Sequence, residues 1–368
     1  MLKWQRFCER REEPALAFRG RKRLFTRSHA GILYAGTDRG SVMRQVGGFL
    51  VLAFTALLPW LGPASAQNWP TRPVTMVVPF AAGGGTDVLG RILGRRLSEV
   101  LGQQVIIENV GGAGGMVGSS RVAKAPPDGY QFVVGSRADA INQTLYKNPL
   151  YNLRTDLLPV VLVADQPTVM VARKDFPAAN LREFIDYAKK NQSTMQFGSA
   201  GAGSTGFIDC SLFNAAIGVN ITHVPYRGGG PAMQDLIAGR IDYFCTLTGT
   251  AVPQIRSVLI KAVAVFTPDR APMLPNVPSA REQGFTAVEA STWFGFFVPK
   301  GTPTSIVQRL RDATVETMET KSVQEQLLTS GAIVVAPERR STEYLRRFVD
   351  TEIEKNGAPI KAAGISME

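Results

Sequence analysis

Three glycine-rich segments, each placed between a β-type apolar run and a helical pattern, constrain the fold of this chain most strongly. They cover residues 79–87, 111–115 and 198–206. Glycine lets the backbone turn tightly between a strand and a helix, an arrangement typical of α/β folds. The first N–H groups of the following helix have no intrahelical acceptor, and the helix dipole makes that end positive. Each segment is therefore a candidate binding site for a carboxylate or a phosphate.

Strand and helix patterns alternate through residues 67–368, which predicts α/β layers with a largely parallel sheet. A long β-type run over 160–171 passes through Gln166-Pro167, and we interpret it as a crossing into a second unit. The aromatic run at 293–298 predicts the return crossing, which makes the layout hinge-like. The predicted boundaries are 67–165 and 290–368 for lobe 1, and 166–289 for lobe 2.

The N-terminal region has the pattern of an export signal. Met43-Arg44 is followed by the apolar segment 46–61 and by Ala64-Ser65-Ala66, an A-x-A cleavage motif. We therefore predict a signal peptide over 43–66, cleavage after Ala66 and a periplasmic mature protein. A retained membrane anchor is the alternative. Residues 1–42 are rich in Arg and have no clear hydrophobic period, so we interpret them as a non-native upstream extension.

The formal net charge of +11 is concentrated ahead of the mature chain. Residues 1–42 contain ten Lys or Arg and four Asp or Glu, and Arg44 adds one further positive charge, which leaves +4 for residues 67–368. No stripe of Lys and Arg with interleaved aromatic residues stands out in that range. We therefore expect no nucleic-acid partner. A mildly positive protein suits small anionic ligands.

Cysteine and histidine are scarce in the predicted mature chain, which keeps Cys210, Cys245 and His223. An oxidising compartment permits a disulfide. The two cysteines fall in different patterns, one helical and one strand-like, and we expect two buried free thiols. Two cysteines without clustered histidines do not form a zinc site, so no metal is expected. No cofactor is expected either.

The glycine-rich segments do not fit nucleotide-binding motifs. None contains the Gly-Lys-Ser/Thr sequence of a Walker motif. A G-x-G-x-x-G fingerprint that starts at Gly112 would need a sixth glycine where the chain has Val117.

A hydrolase is also a poor fit, because neither Ser199 nor Ser204 lies in a G-x-S-x-G motif. A hydrolase would require His223 within hydrogen-bond reach of one of these serines. Asp87 is expected to cap the first turn of its helix rather than to act as a general base, and Thr86 is expected to be the N-cap.

Taken in order, the three segments and several others resemble the substrate-binding proteins of tripartite tricarboxylate transporters, the Bug family. The first segment reads Pro-Phe-Ala-Ala-Gly-Gly-Gly-Thr-Asp over 79–87. The matching stretches are 69–74, 78–87, 105–109, 112–115, 125–130, 198–201, 223–229, 274–279 and 298–303. The resemblance extends over residues 67–368 and includes nothing of 1–42.

The resemblance implies a two-lobed α/β fold of the class II periplasmic binding type, with a ligand cleft between lobes joined by two hinge crossings. It implies a monomer without catalytic activity that captures a small carboxylate and delivers it to membrane permease subunits. A ligand sensor that signals to a membrane partner is the alternative. The ligand-binding residues implied are Phe80, Gly83, Gly84, Thr86, Asp87, Ala113, Ser136, Ser199, Ala200, Ser204, Thr205, Tyr226, Gly229 and Asp242.

The chain departs from the family pattern at three positions. The family often has His and Glu where this chain has Phe207 and Ser211, and often has Asp where it has Thr246. The lower polarity at these positions favours an aromatic or aliphatic carboxylate over an amino acid.

Overall fold

The computed structural model describes residues 69–368, which belong to one compact unit. The predicted upstream extension over 1–42 and the predicted signal peptide over 43–66 lie outside the described residues. Within the described range, no helix combines the length and the apolar character needed to cross a membrane.

The described residues alternate between strands and helices, as the sequence predicts. The strands are β1 (Val74–Val78), β2 (Val105–Asn109), β3 (Gln131–Ser136), β4 (Leu157–Arg173), β5 (Gln196–Ser199), β6 (Thr222–Pro225), β7 (Tyr243–Leu247), β8 (Ile260–Val265), β9 (Ser291–Pro299) and β10 (Ile333–Val334). The α-helices are α1 (Gly85–Leu101), α2 (Met116–Ala123), α3 (Arg137–Leu145), α4 (Leu181–Asn191), α5 (Thr205–Ile217), α6 (Gly229–Ile237), α7 (Thr248–Arg256), α8 (Thr304–Glu319), α9 (Lys321–Ser330) and α10 (Thr342–Ala362).

The strands of residues 69–368 form one ten-stranded sheet in the order β2-β1-β3-β9-β4-β7-β5-β6, with β8 and β10 paired to β4. β1 runs parallel to β2 and β3, and β5 runs parallel to β6 and β7. We call the half around β1, β2, β3 and β9 the first lobe, and the half around β5, β6, β7 and β8 the second lobe. The predicted α/β fold is confirmed.

The centre of the sheet is antiparallel, so the expectation of a largely parallel sheet is correct only for the outer strands. β9 runs antiparallel to both β3 and β4, and β4 runs antiparallel to β7 and β8. These central strands differ from the outer ones because β4 and β9 carry the chain between the lobes instead of belonging to a strand–helix–strand repeat.

Strand β4 changes partner in the middle of its length. It pairs with β9 from Leu157 to Pro167 and with β7 from Thr168 to Ala172. The change falls directly after Pro167, which cannot donate a ladder hydrogen bond. A single long strand therefore carries the chain from one half of the sheet to the other.

Helix α1 packs against the strands of the first lobe through one apolar face. Leu89, Leu93 and Leu97, each four residues apart, are at most 1 % exposed and belong to the same buried cluster as Met76 and Val78 of β1. Full burial of a leucine side chain contributes about 1.5–3 kcal/mol. This packing directs the N-terminal end of α1 toward the C-terminal end of β1, where the first glycine-rich segment lies.

Cys210 and Cys245 form a disulfide, so the expectation of two free thiols is wrong. Cys210 lies on α5 and Cys245 on β7, and their Cα atoms are 5.6 Å apart. This separation is in the range that a disulfide requires. The proximity depends on the packing of α5 against β7, which the two local patterns do not determine.

Candidate functional site

A pocket with about 450 Å3 of space between its atoms lies between the two lobes, at the ends of several helices. Among the described residues, no acidic or basic side chain lines it. We call this pocket the cleft cavity.

Five helices of the described chain direct their N-terminal ends at the cleft cavity. Each contributes its N-cap or a first-turn residue to the lining: Gly84 for α1, Ser136 for α3, Ser204 for α5, Gly229 for α6 and Leu247 for α7. The N-terminal end of a helix carries roughly half a positive charge and unpaired N–H donors. The cavity is therefore suited to an anion that is held by backbone groups and hydroxyls rather than by a cationic side chain.

The first glycine-rich segment places the beginning of α1 directly in the cavity wall. Gly84 is the N-cap and makes no side-chain cap hydrogen bond, so the predicted N-cap role of Thr86 is wrong. Thr86 is the second residue of α1, because the helix begins two residues earlier than an N-cap at Thr86 would require. The Gly85 N–H donates to Thr250 Oγ1 of the second lobe at 2.8 Å. A Cβ on Gly85 would stand 2.8 Å from Gln166 Oε1 and 3.0 Å from Leu247 Cβ, so a larger residue would have to displace these side chains.

Asp87 stabilises the first glycine-rich segment through hydrogen bonds. Its side chain accepts the Gly83 N–H at 3.0 Å, Asn109 Nδ2 at 2.9 Å and Arg91 Nε at 3.0 Å. Burial raises the pKa of the Asp87 carboxyl, but the hydrogen bonds from Arg91, Gly83 and Asn109 outweigh burial and hold the pKa below its usual value. Asp87 therefore stays ionised and supports the turn without lining the cavity.

The second and third glycine-rich segments meet across the lobes. A Cβ on Gly114 would stand 2.4 Å from Ala202 O, and the Tyr146 hydroxyl donates to the same carbonyl at 3.1 Å. Ala113 has a positive φ of 45°, and it does not line the cavity. The close approach explains why the second segment needs glycine at this point.

Ser199 and His223 are within hydrogen-bond reach. Ser199 Oγ lies 2.7 Å from His223 Nε2 and also accepts the Gly201 N–H at 3.0 Å. Burial lowers the pKa of His223 to about 4, so the imidazole is neutral at pH 7. Ser199 is fully buried and is not among the lining residues of the cavity. The geometric requirement of the hydrolase alternative is met, but the serine has no access to a substrate in the cavity.

The structure brings eight of the fourteen residues implied by the resemblance to the cleft cavity. These are Phe80, Gly84, Thr86, Ser136, Ala200, Ser204, Thr205 and Gly229. Six others do not line it, namely Gly83, Asp87, Ala113, Ser199, Tyr226 and Asp242.

Tyr226 and Asp242 make structural hydrogen bonds instead. The Tyr226 hydroxyl donates to Asp235 at 2.7 Å. Asp242 accepts from Arg173 at 3.0 Å and from the Gln196 N–H at 2.8 Å. Asp242 precedes β7, whereas the cavity lies at the other end of that strand, so the structure does not bring Asp242 to the site.

The cavity also contains nine residues outside the fourteen implied by the resemblance, and one of them, Thr246, is a position where the chain departs from the family pattern. They are Gly85, Gly206, Phe244, Cys245, Thr246, Leu247, Thr250, Thr292 and Phe294. Two signals could have found some of them. The hydroxyl-rich segment 246–250 follows a strand and begins a helix without a glycine run, and Thr292 and Phe294 are two residues apart on β9, which places both on one face.

The chain matches the family model described as "Tripartite tricarboxylate transporter family receptor" over residues 89–365. A curated relative from Agrobacterium vitis, a protein of the ttuE-ttuC' intergenic region, is 38% identical over 317 residues. The alignment covers 86% of this chain and 91% of the relative.

Solved structures show the same fold. The periplasmic binding protein BugD is 37% identical, with a TM-score of 0.80 and coverage of 82% of this chain and 100% of BugD. MatC from Rhodopseudomonas palustris, solved with bound malate, is 37% identical with a TM-score of 0.77, and the match covers 79% of this chain and 100% of MatC.

A further R. palustris protein, solved with adipate, is 35% identical with a TM-score of 0.77, and the match covers 81% of this chain and 99% of that protein. These matches confirm the two-lobed periplasmic binding fold, and the family and these neighbours are binding proteins. The chain thus belongs to the receptor family of the tripartite tricarboxylate transporters and is a Bug-type member of it.

Proposed function

We propose that this protein is a periplasmic solute-binding protein that captures a small carboxylate and delivers it to the permease subunits of a tripartite tricarboxylate-type transporter. The observation that carries this proposal is the convergence of five helix N-termini of the described chain on one cavity that no charged side chain lines. N–H donors and helix dipoles stabilise an anionic group in such a cavity, and the ligands of the relatives favour a carboxylate over a phosphate.

The ligands of the relatives support a carboxylate. MatC was solved with malate and the related R. palustris protein with adipate. Both molecules carry carboxylates at their ends. The positive ends of five helices together can accommodate more than one negative charge.

We propose that the ligand contacts the eight cavity-lining residues implied by the resemblance, and that the other six position the loops. Lobe closure brings the two sets of lining residues together. Direct contacts between the lobes support closure, since the Ala81 N–H donates to Arg227 O at 3.0 Å and the Gly85 N–H donates to Thr250. The proposed lobe boundaries remain 67–165 with 290–368, and 166–289, and the partner change along β4 supports them.

We further propose export by the signal peptide over 43–66, cleavage after Ala66 and function as a monomer, with residues 1–42 outside the native protein. The Cys210–Cys245 disulfide supports an oxidising compartment such as the periplasm.

Catalysis is not part of the proposed function. A hydrolase that uses Ser199 and His223 remains the second candidate, because the two side chains are 2.7 Å apart. The buried position of Ser199 speaks against it. The expected result with ester substrates is no release of product above that of a Ser199→Ala variant. Turnover that this substitution abolishes would establish the hydrolase instead.

The proposed function is tested by calorimetric titration of the protein purified from the periplasm. The panel contains mono-, di- and tricarboxylates, aromatic acids and acidic amino acids. We expect saturable binding of at least one carboxylate, with a matching rise in melting temperature, because a ligand that binds only the folded state stabilises it. If no carboxylate in the panel binds, the proposed ligand class is wrong.

A further inference from the structure

Thr292 borders the cleft cavity and has a buried hydroxyl without a hydrogen-bond partner in residues 69–368. The residue lies on β9, lines the cavity and is 1 % exposed. Its Oγ1 has no hydrogen-bond partner among the described residues. Buried polar atoms are nearly always paired, so an unpaired one that borders a ligand cavity indicates a group that the ligand supplies.

Gln166 provides a second unpaired oxygen beside Thr292. Gln166 and Thr292 are direct partners in the antiparallel register of β4 and β9, so their side chains share one face of the sheet. Gln166 is 1 % exposed, and its Oε1 also has no partner among the described residues.

Two glycines leave room for the Gln166 amide. Oε1 lies 2.8 Å from the position of a Cβ on Gly85, and Nε2 lies 2.5 Å from that of a Cβ on Gly249. Gly85 lines the cavity, so the amide lies directly behind one residue of the cavity wall, whereas Gln166 itself is a lining residue of a second pocket.

The chemistry of the two side chains indicates what they bind. An amide oxygen only accepts a hydrogen bond, whereas a threonine hydroxyl can donate and accept. A carboxylate cannot donate to Oε1, and the lining has no acidic side chain to neutralise an ammonium group. A ligand hydroxyl can donate to Gln166 and accept from Thr292. A ligand hydroxyl fits both orientations of the amide, because it can donate to Oε1 or accept from Nε2.

We propose that Thr292 and Gln166 form a subsite for a hydroxyl on the carbon body of the ligand, so that the ligand is a small hydroxycarboxylate. This inference rests on the proposed carboxylate-binding function. The helix N-termini hold the carboxylate end, and Phe80, Leu247 and Phe294 contact the apolar carbons between the polar groups.

The test uses pairs of ligands that differ by one hydroxyl: malate and succinate, 3-hydroxybutyrate and butyrate, and 3-hydroxybenzoate and benzoate. Dissociation constants are measured by calorimetry for the wild type and for Thr292→Val, which replaces the hydroxyl with a methyl group. The wild type is expected to bind the hydroxylated member about three- to tenfold more tightly in at least one pair. The Thr292→Val variant is expected to lose this ratio.

Further variants separate a loss of the hydroxyl from a loss of the fold. Thr292→Ser keeps a hydroxyl and is expected to keep the ratio, whereas Gln166→Met removes the amide at similar length and is expected to reduce it. The control is Thr314→Val, because Thr314 is fully buried and its hydroxyl bonds to Leu310 O within α8. This control is expected to leave the ratio unchanged.

Two results would overturn the subsite. One is a wild type that binds carboxylates without preferring the hydroxylated member of any pair. The other is a preference that persists in both Thr292→Val and Gln166→Met. In either case carboxylate binding itself still supports the proposed function, whereas a complete absence of carboxylate binding rejects both.

Discussion

The backbone N–H of Gly85, at the beginning of α1 in the first lobe, donates a hydrogen bond of 2.8 Å to Thr250 Oγ1 in the second lobe. Both residues line the cleft cavity. The bond therefore joins the lobes at the place where the ligand is proposed to bind, and it couples lobe closure to the geometry of the first glycine-rich segment.

Removal of this bond is expected to weaken ligand binding. Thr250→Val keeps the shape of the side chain but leaves the Gly85 N–H without its acceptor. A net hydrogen bond contributes about 0.5–1.5 kcal/mol, so the dissociation constant for the best carboxylate should rise about three- to tenfold. Calorimetry measures the change. Thr222→Val on an exposed position of β6 is the control, and equal affinities of Thr250→Val and wild type would contradict the role of the bond.

Gly84→Val is expected to abolish carboxylate binding while the protein still folds. Gly84 has φ −85° and ψ 166°, which any residue adopts, so valine introduces no backbone strain. A Cβ there would stand 3.4 Å from Gly229 N, and the valine methyl groups would fill the space between the lobes. We expect loss of the ligand-induced rise in melting temperature.

The exposed Ala82 in the same loop offers a matched control for Gly84→Val. Ala82→Val should bind as the wild type does. If Gly84→Val keeps its affinity for the carboxylate, the ligand does not bind at the first glycine-rich segment.

The disulfide between Cys210 and Cys245 is expected to stabilise the fold. It closes a loop of 35 residues, and the chain-entropy relation assigns such a loop roughly 3–4 kcal/mol. Urea unfolding with and without a reductant should show a decrease of about this size in the free energy of unfolding. A Cys210→Ala/Cys245→Ala variant should have the same free energy of unfolding with and without the reductant, close to that of the reduced wild type. An equal response of wild type and variant to the reductant would contradict the prediction.

His223 is expected to make the protein less stable in mild acid. Burial lowers its pKa from 6.5 to about 4. Between these values the unfolded chain binds a proton that the folded protein does not, so the free energy of unfolding decreases as pH falls. Above pH 6.5 His223 does not change the free energy of unfolding. The decrease in that free energy is complete near pH 4 and amounts to up to about 3 kcal/mol.

The His223 prediction is checked by urea unfolding at pH 7, 5.5 and 4.5. His223→Gln keeps a hydrogen-bond acceptor for Ser199 but does not titrate, so its stability should fall less over this range. If wild type and variant lose stability in parallel, other groups cause the acid sensitivity.

Loss of the ion pair between Arg137 and Asp209 is expected to lower the free energy of unfolding more than loss of a surface pair. Arg137 Nη1 lies 2.8 Å from Asp209 Oδ1, and the Asp209 side chain is fully buried. Arg137→Met leaves a buried charge without its cation and should cost about 3–5 kcal/mol of unfolding free energy.

An exposed pair provides the comparison for Arg137→Met. Arg154 and Asp350 have side chains that are 43% and 51% exposed, and pairs of this kind contribute about 0–1 kcal/mol. Arg154→Met should therefore change the free energy of unfolding by no more than that. If the two substitutions lowered the free energy of unfolding by similar amounts, burial would not explain the importance of the Arg137–Asp209 pair.

The sequence by itself determined the order of strands and helices, the three glycine-rich segments and the resemblance to a family of carboxylate receptors. These features are local, because the side-chain period of a strand or helix and the freedom of glycine act over a few residues. Gly84 and Ser204 could therefore be placed in the site from the glycine-rich segments that contain them, whereas Ser136 was placed there by the resemblance.

Only the tertiary structure decided which of these segments meet. It brought Thr250, Thr292 and Phe294 to the cleft cavity, left Asp242 at the far end of β7, and joined Cys210 to a strand residue 35 positions away. Strand order, register and the angle at which α5 packs on β7 set these distances. They arise from burial of apolar surface shared by segments far apart in the chain, and no local pattern contains that information.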